Sequence, residues 1–362
     1  MPIFMDRHDV SEAVTAEIVA QIHQEDLKIQ SQFSCRGLTY WFDDQRKTAF
    51  CLIEAPDAES IKRMHERAHG DVPHRVIEVD TSLVESFLGR IQDPVKSQNT
   101  TLNIINDPAF RIVMIISIDG FPPSSKSSQF KSSLHDFNNM ILETLQSYEG
   151  SIVKQSERHF LISFKSVTNA VNTALEIRIL LNEFRDKAAD KFNLKIGLSA
   201  GVPVSEKNLI FEDAIKLAER MCRVVQGEIM AASEVRELYD SENANTINEA
   251  IISCLTKSDE KFLTMLMDYL ESRWNNADLK VEDFNKPVAC SKSQLYRKLM
   301  ALSGKSPNTF INDYRLEEAL VLLNKHDWNI SEIAFETGFN SPSYFAKCFQ
   351  KRYNYQPSCF SS

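Results

Sequence analysis

The stretch Ile330–Phe360, ISEIAFETGFNSPSYFAKCFQKRYNYQPSCF, decides the fold of the C-terminal third of this 362-residue chain. Ser341-Pro342 places an N-cap before a proline at the first helical position, where its missing N–H costs nothing. Phe345 and Phe349 stand i, i+4 and form one apolar face. Gly338 supplies the tight turn from a short preceding helix. Upstream, Val281–Leu323, VEDFNKPVACSKSQLYRKLMALSGKSPNTFINDYRLEEALVLL, repeats the plan. Ser291-x-x-Gln294 is a capping box, and Leu295 and Leu299 stand fifty residues before Phe345 and Phe349. Each block is a short helix, a tight turn and a capped helix, so the segment reads as two helix-turn-helix units. Pro287 is expected to shorten the first helix of the first unit, and Ser258 to cap an amphipathic helix running to Trp274.

Charge separates this segment from the rest. The whole chain carries 41 Lys/Arg against 50 Asp/Glu, a net −9 that by itself argues against nucleic acid. From Lys286 to the end, however, ten basic residues face six acidic ones, a local +4. Residues 1–80 hold nine basic and fifteen acidic residues, and five of the eight histidines lie at or before His74. Such asymmetry between segments says more about partners than the sum does. The longest apolar run, Ile112–Ile118, has a strand's length and falls far short of a membrane helix of ~20 residues, so no membrane association is expected. Charges in MPIFMDRHDV, where a signal peptide has its apolar core, and seven scattered cysteines lead us to expect a reduced, cytoplasmic protein.

The motifs SKSQLYRKL, SGKSP, YRLEEALVLL, ISEIAFETGFNSPSYFAKCFQK and a closing Tyr-x-x-Pro resemble the DNA-binding domain of AraC-type transcription regulators over residues 258–362. Asn354 stands where that family usually has glycine; asparagine tolerates the left-handed backbone. The resemblance implies double-stranded DNA as partner, with a recognition helix from each unit in the major groove. It assigns Ser293, Tyr296 and Arg297 to the base-facing side of the first, with Lys292 and Lys298 toward phosphate. On the second it assigns Pro342, Ser343, Ala346 and Lys347 to bases, and Lys351 and Arg352 to the backbone. Arg297 and Lys347 are the strong readers, since Arg and Lys pair with guanine.

Residues 2–80 read as strand, helix, hairpin, helix, strand, the split ferredoxin-like βαββαβ unit. His65 and His69 share one helix face, and His23 and Asp26 share a face of the other helix. His8, Cys35 and Cys51 lie nearby in sequence pattern; imidazole with thiolate or carboxylate suits nickel, zinc or copper. MDRH, IHQEDL, TAFCLIEAPDAESIKRMHERAHG and VIEVD resemble a small ferredoxin-like family whose described member is a bacterial nickel-binding protein. That resemblance implies nickel or another transition metal ion as cofactor and pairing into a homodimer; it does not name the ligands, for which the residues themselves offer His65 first, then His23 and His69.

Residues 81–109 read as one helix and a polar linker. From 110 to 240 a second α/β unit follows, and IISIDGF, YEGSIVKQSERHFLISF, LKIGLSAGVPV and FEDAIKLAERMCRVVQGEIMAAS resemble the class III nucleotide cyclase domain. In active cyclases two aspartates hold two metals on the triphosphate. Ser117 stands at the first of those positions, with Asp119 on the opposite phase, and Arg158 stands at the second. A cation at a ligand position repels a metal, so the domain is expected to be degenerate. Lys154, Arg158, Lys216 and Arg220 remain candidates for an anion pocket.

The expectation is therefore a multidomain α+β and all-α protein: a ferredoxin-like sensor (1–80), a linker (81–109), a degenerate cyclase-like domain (110–240) and a double helix-turn-helix DNA reader (258–362). It is a transcription regulator governed by a metal or small-molecule effector, and not an enzyme. The alternatives are a residual nucleotide cyclase fused to DNA binding, which the missing aspartates disfavour, and a metal-storage protein, which leaves the DNA reader unexplained.

Overall fold

A computed structural model describes residues 1–94, 102–119, 128–187, 193–325 and 327–360. Strand β1 (Ile3–Asp9), helix α1 (Ala16–Ile29), strands β2 (Arg36–Asp43) and β3 (Thr48–Glu54), helix α2 (Ala58–Ala68) and strand β4 (Arg75–Glu78) form an antiparallel sheet of order β2-β3-β1-β4. This is the ferredoxin-like arrangement. Both sheet faces are covered, so β2 and β3 carry near-continuous apolar runs instead of clean alternation. Phe4 and Ile53 pack on Ile61 and Met64 of α2. Met5, Trp41, Phe50 and Leu52 point the other way, into a core shared with Phe87, Phe110 and the central sheet.

Helix α3 (Thr81–Leu88) starts at Asp80, whose carboxylate accepts from the Ser82 and Leu83 amides, and stops at Gly89 with φ 82°. It is docked: Val84, Phe87 and Leu88 are buried in the same core. The second sheet contains β5 (Arg111–Asp119), β6 (Ser151–Gln155), β7 (His159–Phe164), β8 (Asn193–Gly201), β9 (Ile229–Ala231) and β10 (Ile252–Cys254), ordered β10-β9-β8-β5-β7-β6. Its β8-β5-β7-β6 portion repeats the antiparallel order of the first sheet. Helices α4 (Ser128–Ser147), α5 (Val167–Lys187), α6 (Glu212–Val224) and α7 (Ser233–Glu242) complete this unit. Helix α6 lies so close to β8 that a Cβ on Gly197 would sit 2.3 Å from the Ala218 carbonyl oxygen. Of the Gly120-Phe121 turn and Pro122–Ser128 loop expected after β5, residues 120–127 lie outside the described residues, and Ser128 already opens α4.

Helix α8 (Lys257–Glu271) is capped by Thr256, not Ser258, because Thr256 and Asp259 form the reciprocal box and Ser258 already lies inside the helix. A 3-10 turn at Val281–Phe284 replaces the first helix of the first unit, ending before Pro287. Helices α9 (Lys292–Ser303), α10 (Pro307–Lys325), α11 (Ile330–Glu336) and α12 (Pro342–Tyr353) follow. The two units belong to different cores. Leu295, Leu299 and Phe310 join the large central core, whereas Phe339, Phe345 and Phe349 pack with Leu316, Leu323 and Ile333 in a core of their own.

Candidate nucleic-acid interface and metal centre

Helix α9 begins where Ser291 Oγ accepts from the Gln294 amide and the Gln294 side chain accepts from the Ser291 amide at 2.8 Å. Burial of Leu295 and Leu299 turns Ser293, Tyr296 and Arg297 to solvent. Lys292 is held at 2.6 Å by Glu282, and the Lys298 ammonium lies 4.9 Å from the Phe262 ring centre. On α12, Ser341 Oγ accepts from the Tyr344 amide. Ser343, Lys347 and Lys351 are exposed, Ala346 half-buried. Arg297, Lys347 and Lys351 make no ion pair among the described residues. Asn354 closes α12 at φ 62°, the left-handed conformation expected of it.

Arg352 turns back from this surface to Asp313 and Glu317 of α10, at 3.3 and 3.1 Å. Glu317 also receives Arg223 of α6 at 2.7 Å, and the same guanidinium reaches Glu318 at 2.6 Å and stacks 3.5 Å from the Tyr314 ring centre. The central unit is thereby tied to the helix that joins the two helix-turn-helix units. One residue missed from the sequence is Tyr344, 52% exposed on α12. Its i, i+3 relation to Lys347 was the available signal.

In the N-terminal unit, β1 alternation puts Phe4, Asp6 and His8 on the helix-covered face. There Asp6 Oδ2 meets His65 Nε2 at 2.9 Å and His8 Nε2 at 3.6 Å, and Asp6 Oδ1 accepts from the Cys51 amide at 2.8 Å. His65 Nδ1 lies 3.1 Å from Asp26 Oδ1 and 3.0 Å from His69 Nε2. Two ligand-type groups result, Asp6/His8/Cys51 and Asp26/His65/His69, each with its donor atoms within 4.8 Å of one another. His65 and His69 are brought together as the helical spacing expects. His23 is not among them: its ring lies 4.9 Å from Tyr40 and its Nε2 3.5 Å from Asp93. Asp6 was missed, although a charged residue between apolar neighbours in a strand is a readable signal.

Burial works against every charge here, and the partners outweigh it. Desolvation alone would strip His65 of its proton, but Asp26 and Asp6 raise its pKa to about 10. His8 is likewise held up to about 9 by Asp6 and Asp71 against burial. Asp6 is pushed below the usual carboxylate range by His8 and His65, and Asp26 by His65 and His69, again against burial. Burial, with the Asp6 and Asp26 carboxylates, pushes the Cys51 thiol well up. The metal-free cluster is thus an imidazolium–carboxylate network. In chelator, NMR titration of the ring protons should show His8 and His65 charged at pH 8; titration of both near 6.5 would contradict this network.

The donor chemistry fits a borderline divalent metal: imidazoles, carboxylates and a thiol on one buried surface. Of the four cations expected to gather in the central unit, Lys154, Lys216 and Arg220 lie within electrostatic reach of Glu219, and two of them are already paired. Arg220 is taken by Asp268 and Glu271, both at 2.6 Å, and Lys216 by Glu212 at 2.5 Å, so these two are neutralised where an anion pocket would need them. Ser117 lies within β5, paired with His159 and Lys195.

Comparison with known proteins agrees with both ends of the chain. Residues 4–79 match the family described as nickel responsive protein SCO4226-like, and residues 286–362 match the helix-turn-helix domain family. An uncharacterized HTH-type transcriptional regulator in the cgkA 5′ region of Pseudoalteromonas carrageenovora is 35% identical over 128 residues, covering 35% of this chain and 72% of that protein. The uncharacterized HTH-type transcriptional regulator YidL of Escherichia coli is 27% identical over 176 residues, 43% of this chain and 54% of YidL. Two other curated relatives are spanned over only 9% and 27% of their length. The solved structure of SCO4226 from Streptomyces coelicolor is 35% identical, covering 21% of this chain and 94% of that one, with a TM-score of 0.21. The chain belongs to the AraC-type helix-turn-helix transcription regulators and carries an SCO4226-like domain ahead of its DNA-binding module.

Proposed function

We propose that the chain binds a defined double-stranded DNA site through α9 and α12, as a homodimer, and that a transition metal such as nickel at the buried histidine–aspartate cluster sets that binding. The observation that carries the reading is the pair of capped helices, each anchored by two buried apolar residues and each presenting an exposed cation, Arg297 and Lys347, with no ion-pair partner among the described residues. In this reading residues 1–80 sense, 81–109 connect, 110–240 are a degenerate cyclase-like scaffold without catalysis, and 258–362 read DNA in the cytoplasm. Among the described residues no helix is long and apolar enough to cross a membrane.

His65, His69 and Asp26, with Asp6, His8 and Cys51, are the residues that would hold the metal, which would supply two positive charges to a site now neutralised by imidazolium protons. Since ligands must be deprotonated, affinity rises with pH. The His23–Asp93 contact joins α1, which carries Asp26, to the segment after α3, and so offers a path from the cluster to the rest of the chain. Genome-wide footprinting with and without nickel tests the proposal: metal-dependent occupancy of a discrete motif is expected, and no protected site in either condition would overturn it.

Reading and holding separate by mutation. Arg297→Ala should relax preference at one base pair, about 1–3 kcal/mol of discrimination. Lys351→Ala should weaken all sequences alike and flatten the salt slope by roughly one unit. Randomised-site selection at two salt concentrations distinguishes them; an unchanged motif with Arg297→Ala would make the first unit a brace.

A further inference from the structure

A cavity of about 230 Å³ lies where the C-terminus of α3 meets the end of β7 and the start of α5, away from the histidine cluster and from both recognition helices. Arg111 lines it with 1% exposure. Its Nε donates to the Phe87 carbonyl at 3.0 Å, its Nη1 to the Pro108 and Phe110 carbonyls at 2.6 and 2.8 Å, and its Nη2 to the Leu88 carbonyl at 3.4 Å. These acceptors satisfy hydrogen bonds but leave the charge unmatched. The α3 C-terminus offers only about half a negative charge. Asp107, the nearest compensating carboxylate, is already taken by Lys165 at 2.9 Å and Arg90 at 3.5 Å. An unpaired buried cation is costly and is retained where something neutralises it.

Three further features meet at the same cavity. Lys165 lines it with its side chain 66% exposed and pairs with Asp107 at 2.9 Å, so a bound carboxylate would have to take the place of Asp107 on this ammonium. Ser166, the residue before α5, puts the amino end of a 21-residue helix against it, with the Asn169 amide donating to Ser166 Oγ at 3.2 Å; the helix dipole at this end favours negative charge. The volume is below the range of pockets for drug-sized ligands, which leaves room for a few carbon atoms and excludes a nucleotide. Glu149 on the exposed rim disfavours a dianion, so carboxylate is expected to win over phosphate. Phe87, Leu88 and Phe164 give apolar wall for a short aliphatic tail.

We infer that this cavity is an effector site for a small organic monocarboxylate, held by Arg111, Lys165 and the amino end of α5. Its ligand would touch α3, which follows the N-terminal sheet, and the central sheet together, so binding would stiffen the join between them. The inference stands apart from the DNA and metal readings.

The test is calorimetric titration of the full chain with acetate, propionate and inorganic phosphate, against chloride at matched ionic strength. Propionate is expected to bind, phosphate more weakly. Lys165→Glu, at a surface position, should weaken propionate by roughly tenfold or more, the size of one charge-assisted contact, while Lys347→Ala, on the DNA-facing helix, should leave it unchanged. Propionate no tighter than chloride, binding untouched by Lys165→Glu, or binding lost with Lys347→Ala would each overturn the site. Tighter binding of phosphate than of propionate would overturn the carboxylate assignment.

Discussion

His65→Ala should destabilise the metal-free protein by about 3–5 kcal/mol at pH 7, the cost of stranding one side of a buried ion pair. His65 is 1% exposed and sits between Asp6 and Asp26, themselves 0% and 3% exposed. Removing the imidazolium leaves two carboxylates in the core with His8 and His69 as their remaining imidazole partners. The pH dependence has a definite sign. The folded pKa of His65 is raised from 6.5 to about 10, so its stabilisation is complete below pH 6.5 and is lost as pH rises through about 10. The gap between wild type and variant should therefore be wide at neutral pH and close above pH 10. It should also narrow toward pH 5, where the stranded carboxylates can take up protons. Calorimetric unfolding in chelator across pH 5–10.5 reads this directly; a loss below about 1 kcal/mol at pH 7 would mean that the cluster relaxes by admitting water. Added nickel should raise the wild-type transition far more than the variant's, because a ligand that binds only the folded state stabilises it by mass action.

The sequence showed this cluster only in part, and the reason is geometric. Helical spacing states which residues share a face, so His65 and His69 were legible together. It does not state what the face meets. His23 and Asp26 share a face of α1, yet Asp26 enters the cluster and His23 turns to Tyr40 and Asp93. Asp6 reaches His65 across 59 positions of sequence, a distance at which no local pattern operates. The same limit applies to Arg352. Its place near the end of a recognition helix suggested phosphate, whereas the fold supplies Asp313 and Glu317. Local features fared better: the caps at Ser291 and Ser341, the left-handed Asn354 and the βαββαβ order of residues 2–80 all rest on contacts within a few residues or on strand alternation. The division of the helical module between two cores was not legible. Leu295 and Phe345 have equivalent patterns, and only tertiary contact assigns one to the central unit and the other to its own.

That division predicts unequal consequences for equivalent mutations in the two units. Phe345 is fully buried, with ring centres 5.3 Å from Phe339 and 5.7 Å from Phe349. Phe345→Ala should cost about 3–5 kcal/mol, and the loss should fall on a small separate core that has little else to hold α12 in place. DNA affinity should then drop roughly a hundredfold, the worth of one recognition helix's base contacts, and the footprint should contract toward the half read by α9. Lys347→Ala, at an exposed position, should leave stability within about 0.5 kcal/mol yet still weaken the second half-site. Leu295→Ala occupies the matching place in the first unit, but its core continues into the central sheet. It should therefore lower the unfolding transition of the central unit as well, which Phe345→Ala should not. Footprinting with parallel calorimetry on the three variants separates these outcomes. If Phe345→Ala leaves the far half of the footprint intact, α12 does not read DNA, and the exposed Lys347 face must serve another partner.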